Sequence, residues 1–115
     1  MTKIELFRHV ENPKRYAAGE VIFREGEPGE CMYAVVEGEV EVRCGERLIE
    51  RTGEGGVVGE LALIDRGPRS ATAVAATPCL LAPVDDKQFQ YLVQQAPFFA
   101  LQVMRVLAER LRRQT

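Results

Sequence analysis

Between Lys14 and Pro83 short apolar runs alternate with glycine-bearing turns. The runs are Val21-Ile22-Phe23, Met32 to Val36, Val40-Glu41-Val42, Leu48-Ile49, Ala71 to Ala75 and Cys79 to Ala82, rich in valine, isoleucine and tyrosine. Gly19, Gly26, Gly29, Gly38, Gly45 and Gly53 punctuate them. Short strands at this spacing predict a barrel or sandwich of antiparallel sheet. Glu39-Val40-Glu41-Val42-Arg43 alternates strictly, so one face of that strand should meet solvent. Cys44-Gly45-Glu46 then reads as a hairpin turn into Arg47-Leu48-Ile49-Glu50.

After Pro83 the period turns helical. Asp85 is placed to cap a helix, with Gln88 three residues on as in a capping box. Phe89, Leu92 and Val93 give that helix its apolar face, and Pro97 ends it and opens the next. In the last helix Leu101, Met104, Leu107, Ala108 and Leu111 form a stripe, which Phe99, Val103 and Val106 widen. Arg110, Arg112 and Arg113 suit the negative end of its dipole. Upstream, Ile4, Leu6, Phe7 and Val10 predict a short helix that Asn12-Pro13 stops. The expected plan is one domain over residues 1–115. It has a helix at 1–12, strands over 14–83 and helices at 85–95 and 97–113.

Composition narrows the class. A chain of 115 residues, 46% hydrophobic and 28% charged, is long enough for a real core. The formal net charge of −2 gives no footprint for nucleic acid. No apolar run approaches the roughly 18 residues of a membrane span. The charged start M-T-K-I-E-L-F-R-H-V is unlike a signal peptide, so a cytoplasmic protein is expected. Cys31, Cys44 and Cys79 are odd in number and widely spaced, which argues against disulfides and against zinc. His9 is the one histidine. A cupin-type metal barrel needs several, and no nucleophile–base pair stands out, so no enzyme, metal or cofactor is expected.

The segment Gly55 to Ala73, with a cassette over 55–73, carries the chemistry: G-G-V-V-G-E-L-A-L-I-D-R-G-P-R-S-A-T-A. Glu60 can accept hydrogen bonds from sugar hydroxyls, and Arg69 can pair with a phosphate. Gly59 leads into a single helical turn, Glu60 to Leu63, whose N–H groups suit an anion. Small residues at Ala62, Ser70 and Ala71 allow close approach. Together they describe a pocket for a small phosphorylated sugar. The plain alternative is a salt bridge between Glu60 and Arg69 in a domain that binds nothing.

These residues resemble the phosphate-binding cassette of the cyclic nucleotide-binding domain family, found in catabolite activators, cAMP-dependent kinase regulatory subunits and cyclic-nucleotide-gated channels. The family pattern runs roughly F-G-E-L-A-L, a variable stretch, then P-R-x-A-T; here stand V-G-E-L-A-L at 58–63 and P-R-S-A-T at 68–72. The upstream G-E-V-I-F-R-E-G-E-P-G-E at 19–30 is also similar to the family's early strands. Val58 departs from the usual aromatic residue.

The resemblance implies a mainly β fold, an antiparallel β-roll of jelly-roll type with two C-terminal helices. It implies that Glu60 bonds the ribose 2′-hydroxyl and Arg69 the cyclic phosphate, with Gly59, the N–H groups of Leu61, Ala62 and Ala71, and the Ser70 hydroxyl assisting. The ligand is cAMP or cGMP, with Ser70 compatible with either and cAMP preferred. The last helix would close over the purine, and its wide apolar surface has two readings, packing on the barrel alone or, through the extra face of Phe99, Val103 and Val106, pairing also with a second copy. Wall candidates are Val57, Val58, Leu48 and Ala73; lid candidates are Arg105, Glu109 and Arg112. The function expected is a nucleotide sensor that moves its C-terminal helices, stand-alone or as a piece of a larger regulator or channel. A ligand-free interaction module is the alternative.

Overall fold

The computed structural model describes residues 12–114. His9 and the helix expected over 1–12 lie outside them. Eight strands precede and surround one short helix, and two longer helices follow: β1 Lys14–Tyr16, β2 Val21–Phe23, β3 Cys31–Glu37, β4 Val40–Cys44, β5 Arg47–Thr52, β6 Val57–Val58, α1 Leu61–Ile64, β7 Thr72–Ala75, β8 Cys79–Asp85, α2 Asp86–Gln95 and α3 Pro97–Gln114. The strands form two four-stranded sheets, ordered β1-β8-β3-β6 and β2-β7-β4-β5, with every pairing antiparallel. The mainly β architecture with C-terminal helices expected from the sequence is therefore present.

Strand β3 explains the layering. Its run Met32-Tyr33-Ala34-Val35 is buried throughout because both faces are covered. Tyr33 and Val35 point to the second sheet and cluster with Phe23, Val40, Ala73 and Ala75 of that sheet and with Val58 and Leu81 of their own. Met32 and Ala34 point the other way, to Val57, Val84, Phe99, Val103 and Val106. One core thus lies between the sheets and another beneath the helices.

Several boundaries differ from expectation. β1 and β6 were not anticipated, because Lys14-Arg15-Tyr16 is mostly polar and exposed and Val57-Val58 is too short to show a period. β8 continues past Pro83 to Asp85. Proline is tolerated there because β1 pairs only with residues 79–81 of β8, so Pro83 is bordered by β3 alone. The Gly45-Glu46 turn joins β4 to β5, with Cys44 opposite Arg47 and Gly45 at φ +63°.

The capping box of α2 is formed on both sides. Asp85 Oδ1 accepts from the Gln88 N–H at 2.8 Å, and Gln88 Oε1 accepts from the Asp85 N–H at 3.0 Å. α2 and α3 meet edge to face at Phe89 and Phe99, 5.5 Å apart. The two apolar stripes of α3 are assigned differently from the sequence reading. Phe99, Val103 and Val106 are buried on the β-roll, whereas Leu101, Met104, Ala108 and Leu111 are exposed. Four-and-three spacing turns the first set inward, so the face expected to widen the stripe is the one that holds the helix down.

Candidate functional site

Gly59 begins the site. Its φ of +79° suits glycine, and a Cβ there would lie 2.5 Å from Arg69 Nη1 and 3.1 Å from the Phe23 ring. The turn ends β6 and delivers Glu60 to the N-cap of α1, where its carbonyl accepts from Leu63 and Ile64. The N–H groups that open a helical turn have no partner within it, which leaves those of Leu61 and Ala62 for another acceptor.

Arg69 is brought in by the chain after α1. Its backbone pairs with Gly26 and Glu27 at 2.9 and 2.8 Å. The residue is 6% exposed. Nη1 donates to the Gly59 carbonyl at 3.1 Å and Nη2 to the Cys31 carbonyl at 2.7 Å. The guanidinium carbon stands 4.1 Å from the centre of the Phe23 ring. Gly29 closes the other side, and a Cβ there would lie 3.0 Å from Nε and 2.4 Å from the Ala62 Cβ. Buried as it is, Nε has no hydrogen-bond partner among the described residues. A buried charged donor without a partner is costly, and an arriving acceptor removes that cost.

These groups line a cavity of about 340 Å³. Gly59, Glu60, Leu61, Ala62, Arg69, Ser70 and Ala71, all named from the sequence, stand on its wall. Phe23, Val42, Ile49, Glu50, Val58 and Arg110 complete it. Of the wall candidates only Val58 lines the cavity. Val57 and Ala73 are fully buried in the two cores, and Ile49 occupies the place given to Leu48. Adjacent strand residues face opposite ways, so an error of one residue exchanges them.

Glu60 and Arg69 do not pair with each other. Glu60 is 1% exposed and forms an ion pair with Arg110 of α3, through Oε1 and Nη1. Arg110 Nε also meets Glu50 Oε1 of β5 at 2.5 Å, and Arg110 Nη2 donates to the Val57 carbonyl at 2.7 Å. The cavity therefore holds two carboxylates and two guanidiniums. None of the lid candidates Arg105, Glu109 and Arg112 lines it; Arg110 does. The signal was in the sequence. Arg110 follows Phe99, Val103 and Val106 at spacings of four, three and four, a charge on a stripe that is otherwise buried.

Among the described residues no cluster of His, Cys, Asp and Glu is suited to a metal ion. The three cysteines are free. Among the described residues no helix is long and apolar enough to cross a membrane.

Residues 13–96 match the model of the cyclic nucleotide-binding domain. A CRP-like cAMP-activated global transcriptional regulator of Mycobacterium tuberculosis is 32% identical over 106 residues, covering 88% of this chain and 47% of the regulator. A cyclic nucleotide-gated potassium channel of Rhizobium etli is 39% identical over 107 residues, covering 93% of this chain and 30% of the channel. The crystal structure of the Thermus thermophilus catabolite activator protein superposes with a TM-score of 0.79 at 32% identity, covering 89% of this chain and 50% of that one. The chain thus spans half or less of each of these relatives. Its two-sheet roll, its cassette and these matches together make it a member of the cyclic nucleotide-binding domain family.

Proposed function

We propose that the chain is a non-catalytic sensor for a cyclic nucleotide, with cAMP the preferred ligand, and that binding moves α2 and α3. The observation that carries this is Arg69, a buried guanidinium on the cavity wall with its Nε unpartnered and its plane held against Phe23. A cyclic phosphate supplies the missing acceptor. The N–H groups of Leu61, Ala62 and Ala71 and the Ser70 hydroxyl add donors, and Glu60 accepts from the ribose 2′-hydroxyl. That the mycobacterial regulator is cAMP-activated and the rhizobial channel cyclic nucleotide-gated supports the ligand class. Ligand-driven movement requires tighter binding to one arrangement of the helices than to the other. The sensor would work in the cytoplasm, alone or within a longer regulator or channel, without contacting nucleic acid itself.

The exposed stripe Leu101, Met104, Ala108 and Leu111 supports a homodimer through α3, because its three-four-three spacing suits helix pairing. Dimerisation without any ligand is the second reading, favoured by the way Arg110 already occupies Glu60.

Calorimetric titration with cAMP and with cGMP, on protein cleared of carried-over nucleotide, tests the proposal. Saturable binding is expected, tighter for cAMP. Arg69→Ala should weaken it by about 2–5 kcal/mol, the loss typical of a charge-assisted buried contact. Arg69→Lys should fall well short of restoring it, since a point charge cannot reproduce the fork. Absence of binding to the folded parent would refute the sensor reading.

A further inference from the structure

Arg110 has two carboxylate partners in different parts of the molecule. Glu60 caps α1 within the cassette, and Glu50 lies on β5 at the far side of the β4–β5 hairpin. Both are shielded, with side-chain exposures of 1% and 8%. The sensor reading gives Glu60 a second claimant, the ribose hydroxyl. It gives Glu50 no task. Yet Glu50 lines the same cavity and stands 2.5 Å from Arg110 Nε. Arg110 itself lies on α3, beyond residues 13–96 that match the family model.

We infer that Glu50 is a positioning residue, which keeps Arg110, and with it α3, over the cavity when a ligand takes Glu60. In the empty chain Arg110 is shared between the two carboxylates. A neutral hydroxyl competes poorly with a guanidinium for a buried carboxylate if the guanidinium must then go unpaired. With Glu50 and the Val57 carbonyl still in place, the guanidinium gives up one carboxylate and keeps the other. The exchange at Glu60 then costs little, and α3 stays closed on the occupied site. Without Glu50, an Arg110 released from Glu60 would keep the Val57 carbonyl but lose its remaining charged anchor on β5, and the hold on the end of the helix would weaken. Glu50 therefore governs how long the ligand stays rather than how it is first captured. This inference rests on the sensor reading for the ligand, though its helix-holding half does not.

Two readouts on the intact chain test it, on the parent and on Glu50→Gln, Arg110→Met and the double variant. Amide hydrogen exchange of α3 in the ligand-free protein reads the hold on the helix. Stopped-flow displacement of a fluorescent cAMP analogue reads association and dissociation separately. Glu50→Gln is expected to speed exchange in the last turns of α3 severalfold. It should also raise the dissociation rate by roughly tenfold or more, leaving association within about threefold, as for loss of one partner of a buried charge pair. The double variant should exchange and dissociate no faster than Arg110→Met, because Glu50 acts through Arg110. Unchanged exchange and unchanged dissociation in Glu50→Gln would overturn the inference, as would equal and additive effects of the two substitutions. If the parent binds no nucleotide but Glu50→Gln still loosens α3 through Arg110, the sensor reading falls and the positioning role stands.

Discussion

Single side chains here are set by what surrounds them more than by their own type. Gly59 is the sharpest case. Gly59→Ala would put a methyl group on Arg69 and force a left-handed alanine, so it should cost stability and displace the guanidinium together. Denaturant unfolding should show a lower midpoint, and titration should show weaker nucleotide binding even where the fold is retained. The cysteines differ in the same way. Burial pushes the Cys79 thiol up, keeping it protonated at neutral pH, while Cys44 is exposed at the hairpin. Alkylation followed by mass spectrometry should modify Cys44 first and Cys79 only on unfolding. Arg110 was legible through its register alone. Its charge fits a helix dipole equally well, and only its register with Phe99, Val103 and Val106 distinguishes the two roles.

At the scale of elements, the strands and caps were legible where local chemistry decides them. The Asp85–Gln88 box is written in side chains that satisfy neighbouring backbone, so it could be read without tertiary knowledge. Asp85→Ala should lower stability by about 1 kcal/mol, seen as a shift of the denaturant midpoint at constant slope. β1 and β6 were illegible for the opposite reason. Each exists because a longer neighbour, β8 or β3, offers a free edge, and nothing inside three polar residues or two valines records that. The β4–β5 hairpin carries a pH dependence. Hydrogen bonds from Arg43, then from Arg51, hold the Glu41 carboxyl below its ordinary value. Its contribution is complete above the ordinary carboxylate range and is lost as pH falls through the lowered value. Glu41→Gln should flatten that part of the acid limb of a stability–pH curve, and an unchanged slope would remove Glu41 from the account.

Across the whole molecule, the cassette could be placed from the sequence because its cavity-lining groups lie within one contiguous stretch, Gly59 to Ala71. The remainder of the cavity comes from β2, β4, β5 and α3, distant in sequence, and only folding brings them to the cassette. α3 is therefore more than an appendage to the roll. Phe99 is 1% exposed, and Phe99→Ala should cost about 3–5 kcal/mol, as large-to-small changes in a core do. A chain stopped at residue 96 would lose that core contact and leave Glu50 and Glu60 without Arg110. It should unfold at markedly lower denaturant than the full chain, with the deficit partly recovered by Glu60→Gln. The opposite face makes a separate prediction. Met104→Glu should convert a dimer to a monomer in sedimentation velocity while leaving the unfolding midpoint of the monomer nearly unchanged, because Met104 is 56% exposed.

The aromatic rings behind Arg69 have an optical consequence. Tyr16 and Tyr33 meet edge to face at 6.5 Å, Tyr33 stacks on Phe23 at 6.2 Å, and Phe23 carries the guanidinium. The chain has no tryptophan and three tyrosines, of which Tyr91 is largely in solvent. Its near-ultraviolet tyrosine dichroism is thus dominated by two chromophores in an asymmetric row that ends at Arg69. Any molecule that shifts Arg69 changes the field at that row, and the protein reports its own occupancy to a spectropolarimeter without a label.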